Sequence, residues 1–159
     1  LNDWILQDFN AGEINCQIIE FKVSEISYVM LFNRIDATRD QNAIDEKAAE
    51  LGLEYRENSY EIKFDLKDNF DNDNYFAPRI ENFTIVEMRF LGRTVRDLIE
   101  FHYRNTNAEA YLFAAENDKL KRYYDGLAKK YSGELNFKVV DNLGEEELGY
   151  EITTPSYKS

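Results

Sequence analysis

One histidine and one cysteine in 159 residues set narrow limits on the chemistry this chain can do. A zinc centre needs several soft or imidazole ligands and a disulfide needs two thiols, so His102 and Cys16 alone supply neither. His102 falls on the stripe Val95, Leu98, Ile99, His102 and Tyr103, where an imidazole reads as a core or boundary residue. No Ser or Cys carries a motif that would pair it with His102 in a hydrolytic triad. Cys16 sits in an alternating apolar segment and reads as a small buried hydrophobe. The acidic run Asp68 to Asn74 is the one place that suggests calcium. A binding loop starting at Asn69 puts Asn69, Asp71 and Asp73 at ligand positions but Ile80 where a bidentate Glu is required, so the run reads as a solvated loop.

The stretch with the most organised spacing is Tyr111 to Tyr131. Its apolar run Tyr111 to Ala115 reads as a buried strand. Leu120, Tyr123, Tyr124, Leu127 and Tyr131 then recur on one face of a helix, with Asn117 or Asp118 as the N-cap.

Upstream, Leu1 to Phe9 is a short amphipathic start that Trp4, Ile5 and Phe9 can pin to the body. Ile14 to Val23 and Ile26 to Ile35 read as strands of a hairpin around Ser24–Glu25. The second is apolar on both faces, as in a central strand covered on two sides. Thr38 to Gln41 has capping-box spacing for a helix running to about Leu51, closed by Gly52. Tyr60 to Leu66 alternates as a half-exposed strand, and Phe83 to Phe90 reads as another. Leu91 to Thr94 turns the chain into the helix that carries His102. Phe137 to Val140 and Tyr150 to Ile152 form a last hairpin, with Asn142 to Gly144 in its loop and Glu145, Glu146 and Glu147 in water. Strands with helices between them imply an α/β, or mixed α+β, single domain spanning 1–159: a central, mixed, largely antiparallel sheet flanked by helices.

Composition agrees with a packed protein: 43% hydrophobic and 14% aromatic residues, with 2 Pro and 7 Gly. The lone cysteine points to the cytosol. No apolar run approaches the length needed to cross a bilayer, and because the chain begins at Leu, processing could have removed a targeting segment. Net charge is -12, unevenly spread: residues 1–75 carry 7 basic against 17 acidic side chains. Residues 79–131 carry 10 against 8. This balance argues against nucleic acid as a partner, whereas a cationic small molecule or basic protein would suit the acidic half, which also serves solubility.

Residues 83–153 resemble the GNAT family, the GCN5-related N-acetyltransferases. The family's coenzyme A loop has Arg or Gln, then Gly three residues on, then Gly or Ala two further. Arg89 and Gly92 match the first two positions, and Thr94 stands at the third. After the next strand the family has Asn, then a small apolar residue at +3, Leu-Tyr at +6 and +7 and Leu at +10. Asn117, Leu120, Tyr123–Tyr124 and Leu127 keep that spacing.

The resemblance implies N-acyl transfer from acetyl coenzyme A to a cationic amine. Arg89, Gly92, Arg93, Thr94 and Asn117 would form the cofactor site, with pyrophosphate on free amides where the glycine turn opens a helix. Glu87, on the first strand, would accept the amine proton, and Tyr124 would donate to the departing thiolate. A rival expectation stands beside it. Thr94 is β-branched where backbone must approach phosphate closely, and the first half lacks the family's strand followed by two helices. The chain would then be a non-catalytic acidic protein-binding or inhibitory module on a GNAT-like scaffold that has lost the cofactor, with Glu87 in an ion pair and Tyr124 in the core.

Overall fold

A computed structural model of the chain describes residues 3–11, 14–35, 58–73, 84–115 and 118–157. The expected helix from Thr38 to Leu51 with its Gly52 stop lies outside the described residues, as does Asn117. The described fold is mixed α/β, a largely antiparallel sheet flanked by helices. Its contacts divide the chain into two compact units, Leu1–Asn33 with Ile62–Phe101, and Arg34–Glu61 with His102–Ser159.

The first unit is led by an antiparallel meander. Strand β1 (Gln7–Ala11) pairs with β2 (Ile14–Val23), which pairs with β3 (Ile26–Arg34). Val23 sits opposite Ile26, so Ser24 and Glu25 are the whole turn, and Ser24 takes a φ of 55° to close it. Turn residues at positive φ match the right-handed twist of the strands they join. The expectation for β3 holds: Tyr28, Val29, Met30, Leu31 and Phe32 are buried without interruption. Ile19, Met30 and Phe32 are fully enclosed, and each such side chain contributes about 1.5–3 kcal/mol on leaving water. The amphipathic start is pinned as expected, with Trp4 edge-on to Phe101 at 5.9 Å and Phe9 edge-on to Phe70 at 5.3 Å, although Ile5 is exposed.

Strand β4 (Ser59–Leu66) contributes residues to both units. Its alternation is less clean than its sequence implies, because Asp65 is buried. The Asp65 carboxylate accepts from the Leu66 N–H at 2.8 Å and from Asn69 Nδ2 at 2.9 Å, which offsets its loss of water. Helix α1 (Lys67–Asp71) follows directly, one turn where a loop was expected, braced by the Lys67–Asp71 ion pair.

In the second unit β4 pairs in parallel with β5 (Ala110–Ala114), which pairs antiparallel with β7 (Gly149–Thr153), and β7 with β6 (Lys138–Leu143). The terminal hairpin follows the expected order, with a register shift between Val140 and Leu143 where Asn142 adopts a φ of 58°. Glu145, Glu146 and Glu147 are exposed, as their charge requires. Helix α2 (Ile85–Thr106) belongs to both units, and α3 (Asp118–Leu135) to the second. Each ends on an asparagine in the left-handed region, Asn107 and Asn136. Asn107 N–H donates back to the Tyr103 carbonyl at 2.7 Å, satisfying an otherwise orphaned end group.

Candidate functional site

Helix α2 overturns the secondary structure expected for the coenzyme A loop. Residues Phe83 to Phe90 were to form a strand and Leu91 to Thr94 a turn, but the helix runs unbroken from Ile85 to Thr106. Its start is set by Thr84. The Glu87 N–H donates to Thr84 Oγ1 at 3.1 Å and the Met88 N–H to the Thr84 carbonyl at 3.0 Å. Thr84-Ile-Val-Glu87 is thus a Thr-x-x-Glu capping sequence, with Glu87 in the first turn where a carboxylate favours the helix dipole. The alternation of Phe83, Ile85 and Glu87 imitated a strand. The stripe that packs, Leu91, Leu98 and Ile99, has helical spacing and is buried.

This placement changes what the candidate residues can do. Gly92 is buried inside the helix, so its N–H and that of Arg93 face their own ladder rather than a ligand. Arg89 and Arg93 are exposed one turn apart, and Thr94 is half-buried. The expected crowding of a phosphate turn by the Thr94 methyl does not arise, because residue 94 is not in a turn. Arg89, Gly92, Arg93 and Thr94 all lie within two turns of one helix. Glu87 belongs to the first compact unit and Tyr124 to the second.

Tyr124 lies on α3 as its spacing implied. Leu120, Tyr123, Tyr124, Leu127 and Tyr131 are all half-buried, so the stripe is the packing face. The Tyr124 ring stands edge-on to Phe113 of β5 at 5.5 Å and to Tyr150 of β7 at 6.1 Å, and Phe113 and Tyr150 stack at 4.7 Å. Such aromatic contacts add about 0.5–1.5 kcal/mol beyond area burial.

The polar heart of this cluster is Tyr150, which sequence reasoning treated only as a strand residue. Its single hydroxyl proton is directed at Asp125 Oδ1, 2.5 Å away, and shared with the Lys121 carbonyl at 3.0 Å, while Lys121 Nζ reaches the same carboxylate at 3.1 Å. The hydroxyl bond, joined by Lys121, holds the Asp125 carboxyl below its ordinary range. Burial, reinforced by Asp125, raises the Tyr150 phenol. The i, i+4 spacing of Lys121 and Asp125 was the available signal, but their tyrosine lies on a distant strand.

His102 is a buried core residue, as its stripe implied. Nδ1 lies 2.7 Å from the Tyr111 hydroxyl and 3.3 Å from Thr106 Oγ1, and the ring stands edge-on to Tyr60 at 4.5 Å. Burial pushes its pKa down to about 3, so the imidazole is neutral, and burial likewise raises the Tyr111 phenol. Cys16 is buried in a cluster with Ile18, Val29 and Leu31, and burial raises its thiol. Neither position offers a reactive group to a ligand in water.

Among the described residues, no three or more His, Cys, Asp or Glu side chains gather into a possible metal site. No helix of the described residues is long and apolar enough to cross a membrane. No family model, curated protein or solved structure matches the chain.

Proposed function

We propose that this chain is a non-catalytic, acidic protein-binding module of the cytosol, an inhibitory one in its simplest form. The observation that carries the reading is the unbroken helix through Arg89 to Thr94. Acyl transfer from acetyl coenzyme A requires a place for the pyrophosphate, and the amides assigned to it are spent within a helix. The GNAT resemblance then rests on the strand-to-helix segment from Tyr111 to Leu127, where Tyr124 packs between aromatic rings.

What remains for function is charge. The first compact unit exposes Asp3, Asp8, Glu20, Glu25, Asp68, Asp71 and Asp73. A net charge of -12 supplies a long-range attraction for a basic protein surface, of the kind nucleic acid also provides.

Two measurements test this reading. Calorimetry with millimolar acetyl coenzyme A and coenzyme A should give no binding heat, and a saturable isotherm would restore the enzyme. Affinity capture should give a basic protein that elutes as salt rises; retention of no basic protein at low salt would remove the acidic-surface reading.

A further inference from the structure

The first turns of α2 carry a second face that its packing leaves unused. Ile85, Val86 and Phe90 are 73%, 61% and 60% exposed, and Arg89 and Arg93 are exposed beside them. At about 100° per residue these five positions share one side of the helix, opposite the buried Leu91, Leu98 and Ile99. Three large apolar side chains on two turns are more than chance exposure of single residues requires. The arginines are equally unusual. Arg96 is paired with Asp97 and with Glu100 at 3.2 Å, whereas Arg89 and Arg93 have no ion-pair partner among the described residues and repel each other at i, i+4.

Two exposed guanidinium groups around an exposed Phe, with no ion-pair partner among the described residues, call for a ligand that is both anionic and apolar. Nucleic acid fits poorly, since affinity for it grows with the number of phosphates neutralised and two arginines neutralise few. Binding to a bilayer scales with the apolar area buried, and three side chains on two turns bury little. An acidic amphipathic helix fits both features. Carboxylates three or four residues apart match guanidinium groups at the same spacing, and an apolar side chain between them would cover Phe90. Arg and aromatic residues are also the types that anchor interfaces.

We propose that Ile85, Val86, Arg89, Phe90 and Arg93 form a docking face for an acidic amphipathic helical segment of a partner protein. The proposal is independent of the acidic-surface reading, which uses carboxylates and a basic partner.

The test is selection of helical peptides displayed on phage against the full chain. Recovered peptides should carry Asp or Glu three or four residues apart beside Leu or Phe. Their affinity should fall at least about tenfold in the double variant Arg89→Glu/Arg93→Glu and in Phe90→Ser, each with an unchanged circular dichroism spectrum. Peptides with Lys in place of Glu should regain binding to the double variant. Should either variant fail to fold, amide shifts of the wild-type chain on adding a recovered peptide read the same point, and should centre on residues 85–93. Absence of acidic enrichment, indifference to the charge reversal, or shifts confined elsewhere would overturn the proposal. Self-association of the wild type that Phe90→Ser abolishes would assign the face to a second copy, and binding to phosphatidylserine vesicles through it would assign it to a membrane; either result overturns the peptide assignment. None of these outcomes alters the calorimetric or salt-elution results.

Discussion

Between pH 8 and pH 5, His102 is the one side chain whose ordinary pKa falls inside the window. In the folded protein it is buried against Tyr60 and Tyr111 and titrates near 3, because burial opposes the charged ring. In the unfolded chain it titrates near 6.5, so the unfolded state binds a proton that the folded state refuses. The stability this supplies is complete above about pH 6.5 and is lost as pH falls from there toward 3. From pH 8 to pH 5 the loss amounts to about 2 kcal/mol, since each unit below 6.5 costs about 1.4 kcal/mol. For a chain of this length that lowers Tm by about 6 °C. Urea titrations followed by circular dichroism at half-unit pH steps would measure it. His102→Gln should flatten the profile over this window. If that variant does not fold, the imidazole proton resonance of the wild type should stay at its neutral position down to about pH 4. A ring that titrates near 6.5 with stability flat to about 0.5 kcal/mol would refute the reasoning and place His102 in water.

Thr84→Ala removes the side-chain acceptor at the start of α2 and should cost about 1 kcal/mol in a urea titration. Gly126 and Gly133 lie on α3, where an added Cβ meets nothing within 4 Å, so Gly126→Ala and Gly133→Ala should each stabilise by about 0.5–1 kcal/mol, and the pair additively. Tyr150→Phe keeps the stacked ring but removes the bonds to Asp125 and the Lys121 carbonyl. It should cost about 1–2 kcal/mol and return the Asp125 carboxyl toward its ordinary range in a carbon-detected NMR titration.

The parts of the fold legible in sequence were those where one period dominated. Ile14–Val23 was bounded correctly at both ends, and Ile26 to Ile35 was one residue too long, because two apolar strands separated by two polar residues leave little else. The α3 stripe and the placement of His102 followed from helical spacing alone. The start of α2 was misread because β-branched and aromatic residues at Phe83 to Phe90 satisfy both periods over so short a window. Gly92 then suggested a break. The distinguishing mark was local: Thr84 and Glu87 at capping spacing, continuous with the buried stripe that follows. Asp65 was placed in water because alternation carries no information about Asn69, whose amide makes burial tolerable. The Tyr150–Asp125–Lys121 group was illegible for a different reason, since it joins residues separated by 25 positions.

The most direct test of the account is amide hydrogen exchange at Arg89 to Thr94, with and without millimolar acetyl coenzyme A. A helix interior predicts slow exchange at Gly92, Arg93 and Thr94, unchanged by the ligand. Rapid exchange that slows when acetyl coenzyme A is added would contradict it, and would return these amides to a phosphate-binding turn.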